Sequence, residues 1–341
     1  MRKLLISLLS AAAMGIALAP AQAQAQAQDA TVRFQDYPGS GNLLIRVARS
    51  KGYCKAAGIT CEMKMIPAAP LGLQALIGGS IDVAETPIEV VAAAVQRGAK
   101  VKTIAGAAVS SIFQIDVAAK VPLPNEAKGY PAQMQDLKGL KVGVTARGAA
   151  TESFFSFLME QAGLKADDVT YVAVGAPNTA FAALRAGQVD AIVSWEPSGT
   201  MCDLTKLCKV LFMGATATKP ALLKEMYGAG TGLVMRTEEI EKHPEIAHAV
   251  LKVSKQAEAF VNDPANKAEV LRISSEYFKF DMPQGDLIAS RTLDLSLQTG
   301  TFKTMVRRSA VQATLEYLKL TKQLATLPTV NDLVWDQAPT E

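Results

Sequence analysis

Two stretches of this chain read alike from end to end, and that repetition constrains the fold more than any other feature. The first opens with Thr31-Val-Arg-Phe-Gln35, short and strand-like, followed by a turn at Tyr37-Pro-Gly-Ser-Gly41 and a helical pattern from Asn42. The second opens with Lys141-Val-Gly-Val-Thr145, followed by Ala146-Arg-Gly-Ala149 and a helical pattern through Phe154, Phe155 and Leu158. Each helix runs into a glycine, Gly58 or Gly163, suited to a left-handed C-cap. Strand-like runs at 62–66 and 169–174 lead to Ala69-Pro70 and Ala176-Pro177, with proline at a helix start, where no amide hydrogen is needed. The next helices end as Ala75-Leu-Ile-Gly-Gly-Ser-Ile-Asp82 and Ala183-Leu-Arg-Ala-Gly-Gln-Val-Asp190. Third strands then run to Glu85-Thr-Pro87 and Trp195-Glu-Pro197.

The order is therefore βαβαβ, twice. Strands alternating with helices imply parallel pairing with right-handed crossovers. The fold class that follows is α/β, with two βαβαβ-based lobes, parallel-rich sheets and a cleft between them. Ligands of such sheets bind outside the carboxyl ends of the strands, where all the loops named above lie. Strand-like segments at 111–117 and 228–235 leave the first unit and return to it, which makes a two-segment hinge. Lobe I is expected over 29–115 plus 232–341, and lobe II over 116–231. From Thr237 the pattern is helical to near Ala325, with breaks at His243-Pro244, Asp263-Pro264 and Met282-Pro283. Residues 327–341 are expected to run over the surface.

The N-terminus reads as an address. Arg2 and Lys3 precede an apolar run at 4–19 and a series of A-x-A signals ending at Ala21, Ala23, Ala25 or Ala27. Residues 1–27 are thus expected to be a cleaved signal peptide with an Ala-Gln spacer, and the mature protein to be periplasmic. Cleavage takes the net charge from +3 to +1, because it removes two cations and no acid. Neither value gives an electrostatic reason to bind nucleic acid or a membrane surface. Export suits the four cysteines. They allow three pairings, of which Cys54–Cys61 and Cys202–Cys208 are the simplest; each would add roughly 2–2.5 kcal/mol by closing a short loop. A redox or metal role lacks a C-x-x-C motif and a nearby histidine, since the chain has only two histidines. No cofactor and no metal is expected.

With these residues in view, the chain resembles the periplasmic solute-binding proteins of ABC importers, type II clamshells. It is most similar to the branch that includes the sulfonate-, taurine-, nitrate- and thiamine-precursor-binding proteins. The resemblance spans the whole mature chain. It is carried by the signal peptide, Gly79-Ser-Ile-Asp82, Asp136-Leu-Lys-Gly-Leu-Lys-Val-Gly143, Gly187-Gln-Val-Asp190 and Trp195-Glu-Pro197. It implies a monomer that closes on a small solute and docks on a membrane permease with a separate ATPase, and it implies that the C-terminal helices pack back on the first lobe. It does not imply an enzyme. Where the branch has a serine after the second-lobe glycine this chain has Ala149, so a hydroxyl contact is missing there or moved to Thr151.

The loops supply the candidate binding residues. Helix N-termini suit anions, and Arg147 could hold a carboxylate or sulfonate by paired hydrogen bonds, or simply face solvent. Small organic anions, sulfonate or carboxylate in type, are the expected ligands. Ser40 is an N-cap that could also touch ligand. Tyr37 and Trp195 could wall the cleft or pack as half-buried aromatics. Glu85 and Glu196 hold equivalent places in the repeat; they could grip an ammonium or amide group, or favour the start of a helix electrostatically. Ala69, Thr86, Gly148, Ala149, Thr151 and Asn178 complete the expected lining. Asp82 and Asp190 are read as structural, bonding nearby turn amides. Phe154, Phe155 and Phe157 are read as core, and His243 and His248 as helix surface. No G-x-S-x-G elbow and no P-loop is present. The alternatives to an importer's binding protein are an enzyme on the same fold, of the pyrimidine- or menaquinone-precursor type, and the sensor subunit of a signalling system.

Overall fold

Ten strands among the described residues, divided between two sheets, carry the repeat. The computed structural model describes residues 30–36, 41–277 and 284–340; the expected leader, Tyr37, Ser40 and the Met282-Pro283 break lie outside them. The strands are β1 (Ala30–Asp36), β2 (Ile59–Met65), β3 (Ala84–Pro87), β4 (Val101–Ala108), β5 (Gln114–Ala118), β6 (Lys141–Val144), β7 (Thr170–Ala173), β8 (Ala191–Ser194), β9 (Cys208–Met213) and β10 (Thr231–Arg236). β1 pairs with β2 in parallel, and β3, β10 and β4 form a ladder in that order. A parallel bridge from Phe34 to Val83 joins the two groups. The first sheet thus reads β2-β1-β3-β10-β4, and the second reads β7-β6-β8-β5-β9.

These are the same order. Each βαβαβ unit supplies three parallel strands, and the strand after its following helix or turn supplies the far edge. The fourth strand, β10 or β5, is antiparallel to its neighbours and comes from the other half of the chain. The chain therefore crosses between sheets twice, at 109–113 and at 214–230.

Local chemistry explains the copies. Buried Val32 and Phe34 in β1, and Val142 and Val144 in β6, face apolar helices. Helix Leu43–Ser50 buries Leu43, Leu44, Ile45 and Val47; helix Ala150–Gln161 buries Phe154, Phe155, Phe157 and Leu158, which confirms the aromatic cluster as core. The first helix is broken in two at Gly52, whose φ of 74° ends one piece before Tyr53–Ala56 begins the next. Asp82 accepts from the amide of Arg33 at 2.8 Å, and Asp190 accepts from the amide of Lys141 at 3.1 Å. Each aspartate so ties the third strand of its repeat to the first. The disulfides are Cys54–Cys61 and Cys202–Cys208.

The C-terminal third departs from expectation in three places. Helices Pro244–Asn262 and Arg308–Leu320 pack on the first sheet's helices, but Gly285–Gln298 packs against Ser198–Thr205 of the second, placing Ile288 in that core. Residues 301–306 are not helical. They run along the edge of β4, where the amides of Gly106 and Val109 donate to Thr304 and Thr301. The approach is so close that a Cβ on Gly106 would lie 2.4 Å from the carbonyl oxygen of Met305. Nor does the tail wander: Val334 bridges to Thr103, the Trp335 amide donates to Thr103, and Leu333 is fully buried.

Candidate functional site

The carboxyl ends of the parallel strands in both sheets meet at one cavity. Gly41 follows β1, Ala69 follows β2, and Glu85 and Pro87 belong to β3. From the second sheet come Thr145, Ala149, Ala150 and Thr151 after β6, and Trp195 after β8. Ile112 and Phe113, from the first crossing, and Thr231, at the start of β10, close it. The cavity holds about 20 Å³, room for little more than one water on the roughly 10–15 Å³ each requires. The two lobes are thus closed upon one another, and an organic solute could enter only if they part.

The walls are mostly apolar. Phe113 contacts Phe154 at 5.6 Å between ring centroids and Trp195 at 6.3 Å. The Thr151 hydroxyl accepts from the Thr145 amide at 3.1 Å and donates to the Thr145 hydroxyl at 3.3 Å, closing the turn. Helix Ala150–Gln161 begins at the cavity with no side-chain cap; the Glu152 and Ser153 amides donate to the Ala149 carbonyl, and those of Ala150 and Thr151 remain for whatever occupies that end.

Glu85 is the one ionisable side chain among the described residues that line this cavity. It is 2% exposed, and its Oε2 has no hydrogen-bond partner. Its Oε1 lies so near Gly41 that a Cβ there would come within 2.5 Å. Burial pushes the carboxyl up to about 8; Arg46 opposes the shift and Asp36 adds to it. Arg46 is fully buried and donates to Asp36 from Nε at 3.0 Å and Nη2 at 2.7 Å.

Glu196 is also buried but turns away, into a second small space lined by Gln114, Trp195 and Thr299. Its Oε2 accepts from the Thr200 amide at 3.2 Å, the Thr200 hydroxyl at 2.6 Å and the Thr292 hydroxyl at 3.4 Å. Burial raises its pKa and the bonds from Thr200 oppose that. Beneath it, Asp116 accepts from Ser198 at 2.5 Å and Gln114 at 2.9 Å; burial pushes it up to about 7.

Of the expected lining residues, Ala69, Glu85, Ala149, Thr151 and Trp195 come together here. Thr86 is buried beside them with an unpartnered Oγ1 but does not line the cavity, and Asn178 sits exposed on helix Pro177–Arg185. Arg147 does not line this cavity. It is 66% exposed, donates to Glu152 from Nε and Nη2 at 2.9 Å each, and lies over the Tyr171 ring. Glu152, one turn into the helix, captures both the guanidinium and the Gly148 amide. Arg147 and Gly148 therefore border a separate groove of about 930 Å³, between the flanks of helices Ala69–Ile77, Ile88–Gln96 and Ala150–Gln161. That groove is larger, but its walls are helix sides rather than strand ends. Sequence reasoning missed Gly41, Pro87, Thr145 and Ala150, which flank residues it did name, and Ile112, Phe113 and Thr231, whose one signal is their place at the chain crossings.

A family model described as NMT1/THI5 like matches residues 43–267. A protein of Brucella abortus (strain 2308), provisionally named a binding protein, is 26% identical over 247 residues, 71% of this chain and 69% of its own. The alkanesulfonate-binding protein SsuA from Xanthomonas axonopodis pv. citri, solved bound to MOPS, is similar at a TM-score of 0.71 and 21% identity, over 91% of this chain and 99% of that one. The periplasmic nitrate-binding protein NrtA from Synechocystis PCC 6803 gives a TM-score of 0.67 at 14% identity, over 89% and 83%. At these identities the solved structures speak for the fold.

Proposed function

The chain belongs to the NMT1/THI5-like family, and from that premise we propose that it is a periplasmic solute-binding protein which captures a small organic solute by lobe closure and delivers it to an ABC importer. One observation carries the reading. Two sheets of the same strand order, linked by two chain crossings, turn their strand ends onto a single shared cavity. Ile112 and Phe113 from one crossing line that cavity, so occupancy and hinge angle are mechanically linked. The moving bodies are the expected lobes with their bounds moved to the crossings, so that β5 (Gln114–Ala118) goes whole with the second and β10 (Thr231–Arg236) whole with the first, and helix Gly285–Gln298 reaches across to the second.

An acidic group on the solute, sulfonate or carboxylate, fits the uncapped start of helix Ala150–Gln161. With Arg147 elsewhere, the helix amides take the role expected of its guanidinium. The relatives named for alkanesulfonate and nitrate support an anionic end. Tyr37, Ser40, Ala69, Trp195 and Thr151 remain the proposed lining. The partners are a permease and its ATPase, and the protein itself supplies no catalysis.

A thermal-shift screen of the mature protein against sulfonates, carboxylates, nitrate, amino-sulfonates and pyrimidines tests the reading. A solute at 100 times its Kd should add about 2.7 kcal/mol of stability, a rise of several degrees. Small-angle scattering should give the free protein a larger radius of gyration than this closed structure has, and saturation with that solute should lower it. An unchanged radius at saturation would count against capture by closure.

A further inference from the structure

We propose that the solute carries a basic nitrogen, an ammonium or amidinium group, and that Glu85 is the residue that selects it. The inference rests on the solute-binding reading of the same cavity and goes beyond it.

Among the described residues, the cavity is lined by one carboxyl group and no lysine, arginine or histidine. That carboxyl is almost wholly buried, and its Oε2 has no partner. Buried polar groups are nearly always hydrogen-bonded, so an orphan acceptor that lines a cavity is a place prepared for a donor. The cation whose charge acts on Glu85, Arg46, is bound to Asp36. Among the described residues, the groups that face Glu85 are the Asp36–Arg46 pair from β1 and helix Leu43–Ser50, and the uncharged Thr231 of β10. Across the cavity stand Thr145, Thr151 and Trp195, none of which titrates near neutral pH.

The chemistry discriminates sharply. A methyl group placed at Oε2 would leave the acceptor unpaired. An anion placed there would hold Glu85 in its acid form by accepting the O–H, with no proton released. A cation both satisfies the oxygen and returns the acid to its ionised form, and the Trp195 and Phe113 rings can add a favourable field to it. Burial pushes the Glu85 carboxyl up to about 8, so a cation that ionises it at pH 7 releases that proton. The balance is Glu85 carboxylic acid plus ammonium going to a carboxylate–ammonium pair, with one proton passing to the buffer. An acidic group at the start of helix Ala150–Gln161 and a basic nitrogen at Glu85 make the solute amphoteric.

Titration calorimetry on matched probes tests this. The pairs are taurine against propane-1-sulfonate and 4-(aminomethyl)benzoate against 4-methylbenzoate, with benzamidine as the cation alone. Each is run at pH 7 in phosphate and in Tris, whose ionisation heats differ. At least one nitrogen-bearing probe should bind about tenfold more tightly than its isostere, releasing close to one proton per solute. In Glu85→Gln the preference and the proton release should both disappear, with circular dichroism reporting an intact fold. Isosteres that bind as well as the amines, or a variant that keeps both preference and proton release, would overturn the inference and leave solute capture standing. No binding by any probe at about 10 mM would remove the inference and the capture reading together.

Discussion

Glu85 and Glu196 both close the third strand of their repeat in the sequence, yet the structure sets them at different depths and their carboxyl groups do opposite things. Glu85 lies inside β3, with its backbone paired to Leu233 and its amide donating to Gln35. A side chain anchored in a ladder cannot fold back on the helix that follows, so it projects into the cavity and stays unpartnered. β8 stops at Ser194, two residues before Glu196. Glu196 is therefore free to curl onto Thr200, four residues ahead, where an amide and a hydroxyl bind it. The two strands are equally long, four residues each. What differs is that Glu85 falls three positions after its aspartate, within the strand, and Glu196 six after, beyond it, which separates a reader of solute from a structural brace.

The most severe way to break the comparison is to remove its support in the first lobe. Arg46→Met would leave Asp36 buried without its cation beside Glu85, and should cost about 3–5 kcal/mol in urea unfolding. A loss under 1 kcal/mol would mean that the pair is not the buried bridge described. Next comes a matched pair of substitutions. Glu196→Gln turns an amide donor toward groups that already donate and should cost about 1–3 kcal/mol. Glu85→Gln, where nothing donates to Oε2, should stay within about 1 kcal/mol of the parent at pH 7. Equal costs would dissolve the distinction between the two carboxyls.

Acidity sharpens it further. Glu85 has a folded value near 8 against the ordinary 4.5. Between those values the folded chain keeps a proton that the unfolded chain has lost, so stability falls as pH rises through that window. Below 4.5 both states are protonated and the contribution is fully present; above 8 it is gone. The slope from this one group is at most about 1.4 kcal/mol per pH unit. Glu85→Gln should remove that slope from melts recorded between pH 5 and pH 8, whereas Glu89 and Asp116, both pushed up to about 7 by burial, should leave a residual slope below neutrality. An unchanged slope in the variant would place Glu85 in contact with water.

Much of the fold was legible because its signals are local. Gly58, Gly163, Pro70 and Pro177 punctuate each repeat, so the doubled βαβαβ order could be read from spacing alone, whereas Asp82 and Asp190, expected to bond nearby turn amides, tie strand to strand instead. The ends of those strands also named Ala69, Glu85, Ala149 and Trp195 as neighbours across a cleft. What escaped is settled by distant partners. Nothing near residues 301–306 announces that Gly106, nearly two hundred positions earlier, lets that backbone approach β4. Likewise, Thr103 alone does not announce that Val334 and Trp335 will dock on it. The contrast between Glu85 and Glu196 depends on a strand end that periodicity locates only to within a few residues.

Arg147 supplies the smallest effect and tests the same lesson from the other side. Its turn position matched the cleft, and its charge suited an anion. Glu152 decides otherwise: five residues on, it binds the guanidinium through two hydrogen bonds and leaves the side chain mostly in water over Tyr171. Exposed pairs of this kind contribute about 0–1 kcal/mol. Arg147→Ala should therefore lower stability by no more than that, with the difference shrinking in high salt. It should also leave the Kd of an anionic solute within about twofold of the parent, because the helix amides, not the guanidinium, face that end of the cavity. A tenfold loss of affinity would instead mean that the Glu152 pair opens when the lobes close on solute, and that the arginine rather than the helix terminus holds the anion.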